Sequence, residues 1–142
     1  DEMAELGRQR GIEISLFVGP RAGWDTGAMA YTTAGKIVAP KARGMDQLVQ
    51  SVEDVRRACE HGLTSVLVTD DGLLWLISEL KQRGELPADL IIKGSVMLGA
   101  ANPIAIRLLE ERGMTTFNVP TDLSLAQLAA IRATALGLID LR

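Results

Sequence analysis

Five times in this chain a glycine separates a helix-like stretch from a short apolar run, at Gly11, Gly62, Gly84, Gly113 and Gly137. Glycine readily adopts the left-handed conformation that ends a helix, so each occurrence predicts a helix, a stop and a buried strand. Parallel strands need long crossover connections, and repeated helix-to-strand units supply them. The chain is therefore predicted to be an α/β protein with parallel strands.

Composition sets the outer bounds of the prediction. The 142 residues are 47% hydrophobic, which is enough to form the core of one domain. A net charge of -3 gives no electrostatic reason to expect nucleic acid or an anionic membrane as a partner. No apolar run is long enough to span a bilayer, and no signal segment opens the chain. We expect a cytoplasmic protein with neither nucleic-acid nor membrane partner.

Helical and strand-like stretches alternate along the whole sequence. The apolar spacing predicts strands over 12–18, 64–69, 90–97, 114–119 and 138–142. It predicts helices over 1–10, 46–61, 73–83 and 102–112, and a last helix from 124 to about 136. Asn102 before Pro103 is a typical helix start, and Ser124 with Gln127 has the spacing of a capping box.

Such units can form either an open doubly wound sheet or a closed barrel, and periodicity alone does not choose between them. The first strand-to-helix turns lack the glycine-rich phosphate loop of nucleotide-binding open sheets. The even length of the units also favours a barrel. We predict a partial TIM-like β/α barrel, a single incomplete domain over 1–142 that is truncated at both ends. The remainder of the barrel, or another chain, is expected to cover its open strand edges.

One stretch, from Arg21 to Gly44, is long and irregular, with four glycines and Pro40. Loops of this length in compact domains commonly serve function. Arg21 and Trp24 are therefore candidate substrate-binding residues, against the alternative that they simply pack within the loop.

The predicted strands deliver polar residues to their carboxyl ends, where both kinds of β/α fold place their chemistry. These candidates are Asp70 and Asp71, Lys93 and Ser95, and Asn118, Thr121 and Asp122. We assign Asp70, Lys93 and Ser95 to catalysis and the other four to substrate binding.

The catalytic candidates each have a structural alternative. Asp70 and Asp71 suit a general base, but also the N-terminus of a helix. Lys93 interrupts an apolar strand, where it could form a Schiff base, bind phosphate or take part in an ion pair. Ser95 would share the face of Lys93, as a nucleophile shares a site with its base. No HxxxH or CxxC metal motif occurs, so no metal site is predicted and no cofactor is identified.

Several motifs follow one another between Leu63 and Ile131. They are the Asp70-Asp71-Gly72 turn, Ser95 near a strand end, Asn102 opening a helix, and Gly113 ahead of TFNVPTDLSL. In this order they resemble the collagenase-like peptidase family, peptidase family U thirty-two, over about half the chain. Thr121 and Asp122 stand where that family has Arg-Glu, and Val96 and Met97 where it has Thr-Gln.

The resemblance implies a barrel and a hydrolase that acts on peptides at the carboxyl ends of the strands. Some branches of the family are associated with RNA or quinone hydroxylation, and several carry an iron-sulfur cluster on cysteines further along. Two alternatives to a peptidase stay open. One is a lyase of the aldolase type that uses Lys93 on a small molecule, and the other is a barrel that binds without catalysis.

Overall fold

The computed structural model describes residues 2–19, 33, 40–134 and 140–141. Within them, helices and strands alternate as the glycine pattern predicts. The helices are α1 (Glu2–Arg10), α2 (Gly44–Glu60), α3 (Asp71–Gln82), α4 (Pro103–Glu111) and α5 (Leu125–Thr134). The strands are β1 (Ser15–Val18), β2 (Ser65–Val68), β3 (Ile91–Gly94), β4 (Thr116–Phe117) and β5 (Asp140–Leu141).

The strands form one parallel sheet in the order β1-β2-β3-β4-β5. In a doubly wound sheet the strand order reverses at a switch point, whereas in a β/α barrel each strand pairs with the next along the chain. Between β1 and β5 the described residues form no pairing, so the sheet is open there. The predicted fold class, a partial β/α barrel with parallel strands, is confirmed.

The two faces of the sheet differ in burial, since alternate strand residues point to opposite sides. One face packs against the helices, and its fully buried apolar side chains are Val18, Val66, Val68, Ile92 and Phe117. On the other face Phe17, Leu67 and Lys93 form one row across β1, β2 and β3. Phe17 is 40% exposed there. We call this side the inner face, because a closed barrel would enclose it.

Local side-chain bonds shorten or extend several predicted elements. The strand predicted over 90–97 ends at Gly94, because the Ser95 hydroxyl accepts a bond from the Met97 N–H (3.2 Å) and starts a 3-10 turn. Helix α3 includes Asp71 and Gly72, which the sequence places in a turn. Asn102 caps α4, and Ser124 with Gln127 forms the predicted capping box before α5.

The glycine stops have the backbone conformation expected of them. Gly11, Gly62, Gly84 and Gly113 all have φ between 63° and 97°, while Gly137 lies outside the described residues. Of the helices that the structure describes, none has both the length and the apolarity needed to cross a membrane.

Candidate functional site at the carboxyl ends of the strands

The carboxyl ends of β2, β3 and β4 lie side by side at one edge of the sheet. The Ser95 N–H donates to the Val68 carbonyl (2.8 Å), and the Asn118 N–H donates to the Gly94 carbonyl (2.9 Å). Each bond continues the strand pairing by one residue. We call this edge the rim, formed by residues 69–72, 95 and 118 with residues 40–43 packed on them. It brings together four of the predicted site residues: Asp70, Asp71, Ser95 and Asn118.

Asp70 holds two parts of the rim with one buried carboxylate. One carboxylate oxygen, Oδ1, accepts a bond from the Leu73 N–H (2.8 Å) and caps α3. The other, Oδ2, accepts a bond from the Ala42 N–H (2.9 Å). The side chain is thus engaged on both oxygens, and Asp70 is only 8% exposed. In this geometry it orients the rim, as the structural alternative for this residue predicts.

Asp71 is the accessible carboxylate of the pair. Its Oδ2 lies 2.6 Å from the Lys41 ammonium, and the two side chains are 52% and 44% exposed. The backbone just before Lys41 is also fixed, because the Thr69 hydroxyl donates to the Pro40 carbonyl (2.6 Å). The rim therefore presents an exposed carboxylate and an exposed ammonium on an ordered backbone.

Ser95 and Lys93 do not share partners, although they are two residues apart. Ser95 is buried at the rim, where its oxygen caps the 3-10 turn. The Lys93 ammonium lies 2.8 Å from Glu13 Oε1, and Glu13 comes before β1, at the opposite end of that strand from the rim. This ion pair crosses β2 and accounts for a lysine inside an apolar strand. The catalytic roles of Ser95 and Lys93 stay predictions.

The remaining candidates lie beyond the rim or outside the described residues. Asn118 is half-buried at the end of β4, and Thr121 and Asp122 are exposed in the turn beyond it. Arg21 and Trp24 fall outside the described residues, so their predicted roles in substrate binding are unchanged.

Sequence reasoning missed Lys41 and Thr69, which organise the rim, and Glu13, which binds Lys93 at the opposite end of the sheet. Lys41 lies in the irregular stretch before α2, where no periodicity indicates its position. Glu13 precedes β1 and meets Lys93 only through the pairing of three strands. The one available signal was Thr69, a polar residue directly between an apolar strand and the Asp70-Asp71 pair.

The Lys81 ammonium and the Cys59 thiol, which lie outside the rim, have shifted pKa values. Burial lowers the pKa of the Lys81 ammonium, with a smaller opposing effect of Asp89, and its Nζ donates to the Leu90 carbonyl just before β3. Burial also raises the pKa of the Cys59 thiol on α2, again with a contribution from Asp89. Among the described residues, no group of three or more His, Cys, Asp or Glu side chains is placed to hold a metal ion.

Comparison with known proteins gives a structural relationship only. No protein-family model matches the sequence, and no curated protein matches it. The fold is similar to a solved structure described as the U32 peptidase Mk0906, with a TM-score of 0.63 and 17% sequence identity. The match covers 99% of this chain and 49% of that one, so this chain spans about half the length of the solved structure. At this identity the similarity shows a shared fold, a relationship to a U32 peptidase at the level of the barrel.

Proposed function

We propose that this chain is part of a peptidase-like β/α barrel that hydrolyses peptides bound over the rim. The observation that carries the proposal is the structural similarity to a U32 peptidase over 99% of the chain. The order of motifs between Leu63 and Ile131 resembles the same family, with departures at Val96, Met97, Thr121 and Asp122. This resemblance supports the barrel more strongly than it supports the activity.

The polar groups of the rim support a proposal of peptide hydrolysis. In the proposed reaction a water oxygen attacks the peptide carbonyl carbon while Asp71, the exposed carboxylate, accepts a proton from the water. The C–N bond then breaks, and the same proton passes to the leaving amine. The Ser95 hydroxyl and the Asn118 amide are the neighbouring groups that can donate hydrogen bonds to the carbonyl oxygen as charge develops on it. Asp70 acts as a positioning residue.

The lyase alternative has less support from the geometry. A lysine that forms a Schiff base must present its amine to a carbonyl substrate. The Lys93 Nζ is instead bound to Glu13, directed away from the rim. In our proposal Lys93 therefore stabilises the inner face and takes no part in the reaction.

The proposal also includes a structural partner. The described edge strand β1 pairs on one side only, with β2, and the inner face leaves Phe17 exposed. We propose that the remaining strands of the barrel, from the same polypeptide or from another chain, pair with these edges and cover the inner face.

Peptide hydrolysis by the complete protein that contains this chain tests the function. For Asp71→Asn we expect kcat to fall by about 100-fold or more on a fluorogenic peptide library, since general-base catalysis contributes about that much. Ser95→Ala is expected to lower kcat as well. The matched control is Asp89→Asn, which neutralises an exposed carboxylate before β3 and should leave kcat unchanged. Full turnover by both Asp71→Asn and Ser95→Ala would contradict these assignments.

A further inference from the structure

The backbone on both sides of Lys41 is fixed to the rim by hydrogen bonds. The residues on either side of it, Pro40 and Ala42, are each bound through the backbone by a buried side chain. Thr69, only 1% exposed, donates to the Pro40 carbonyl, and Asp70 accepts from the Ala42 N–H. Lys41 itself makes neither bond, so these contacts fix the backbone and leave its ammonium facing the rim.

The present partner of that ammonium is exchangeable. The Lys41 and Asp71 side chains are 44% and 52% exposed, and ion pairs at such sites contribute little to stability because water solvates both charges. A carboxylate from a ligand can therefore replace Asp71 at low cost. At 2.6 Å from the Lys41 Nζ, the Asp71 oxygen marks the position that such a carboxylate would occupy.

We infer that Lys41 binds a carboxylate of the substrate and that this binding displaces Asp71. The inference rests on the proposed function and names its substrate class, peptides that carry a carboxylate close to the bond that is cleaved. Displacement also has a catalytic consequence. Asp71 loses its ion pair when the substrate arrives, and its carboxylate becomes available to accept the proton from the attacking water.

Binding of three N-acetylated peptides, measured by calorimetry, tests the inference without reference to turnover. The first is tetra-alanine with a free carboxyl terminus, the second is its amide, and the third is the amide with one alanine replaced by glutamate. We expect the first or the third to bind tighter than the plain amide, by about 3- to 10-fold, the range of one exposed charge-assisted contact. Which of the two binds tighter identifies the terminal or the side-chain carboxylate as the recognised group.

Variants of Lys41 and Asp71 distinguish carboxylate recognition from a purely structural role of the ion pair. Lys41→Met should abolish the preference for the carboxylate peptides, while Lys41→Arg should retain it. Asp71→Asn should bind them about 2- to 5-fold tighter, because it removes the competing carboxylate. Arg83→Gln, which removes an exposed cation at the other end of α3, is the matched control and should change nothing.

Two results would overturn the inference. One is equal affinity of the protein for all three peptides, including the case in which none binds. The other is an unchanged carboxylate preference in Lys41→Met. Either result leaves the proposed function standing if the complete protein still hydrolyses peptides. Conversely, a carboxylate preference that depends on Lys41, without hydrolysis, would keep Lys41 as a carboxylate-binding residue and remove the peptidase assignment.

Discussion

Replacing Asp70 with alanine is expected to lower the free energy of unfolding by about 2–4 kcal/mol, the sum of a lost helix cap and a partly buried N–H left without a partner. The cap is the bond from the Leu73 N–H, and the orphaned donor is the Ala42 N–H. Asp70→Asn should cost less, because its single carbonyl oxygen can still accept one of the two bonds.

Chemical denaturation followed by circular dichroism measures this cost. The matched control is Asp71→Ala, which removes the neighbouring carboxylate from an exposed ion pair and should cost less than about 1 kcal/mol. If the two alanine variants lose the same stability, Asp70 does not hold the rim as the structure indicates.

Gly113→Ala is expected to destabilise the protein by about 2–5 kcal/mol, since strain in the left-handed backbone adds to a steric collision. Gly113 has φ of 97° and lies between α4 and β4. An added Cβ would come within 2.8 Å of the Ser78 Cβ on α3 and closer still to its hydroxyl oxygen. The substitution would therefore push α3 away from the start of β4, the strand that carries Asn118 to the rim.

The equivalent glycine after α3 isolates the steric part of this effect. Gly84 has φ of 73°, but no atom lies within 4 Å of a Cβ placed there. Gly84→Ala should thus cost only the backbone term, about 1–2 kcal/mol. Thermal unfolding measures the stability of both alanine variants. If the two lose the same stability, the contact with Ser78 relaxes without cost and the steric part of the prediction is wrong.

The fold was predictable because its signals are local. Gly11, Gly62, Gly84 and Gly113 have positive φ directly after helices. Asn102 and Ser124 cap helices through bonds to residues three positions away. The error at the end of β3 has the same origin. Ser95 follows an apolar run and looks like part of the strand, yet its hydroxyl bonds to the Met97 N–H and starts a turn.

The site was predictable only in its position along the chain. Parallel strands bring their carboxyl ends together, so Asp70, Lys93, Ser95 and Asn118 were expected to lie close to one another. Backbone bonds hold the strand ends at Ser95 and Asn118 side by side, whereas the Lys93 ammonium lies on Glu13, away from the rim. What each side chain binds depends on contacts between distant segments. Asp70 binds Ala42, which is 28 residues earlier in the sequence. Lys93 binds Glu13, which is 80 residues earlier. No spacing rule reaches that far.

The central claim is that ligands bind at the rim, and amide chemical shifts of the protein titrated with a peptide test it most directly. The free-carboxylate tetra-alanine peptide is the probe. We expect the largest changes at residues 41–43, 69–72, 95 and 118, with little change around Glu13, Lys93 and Thr64. Changes concentrated around Glu13 and Lys93, with the rim unaffected, would contradict the account.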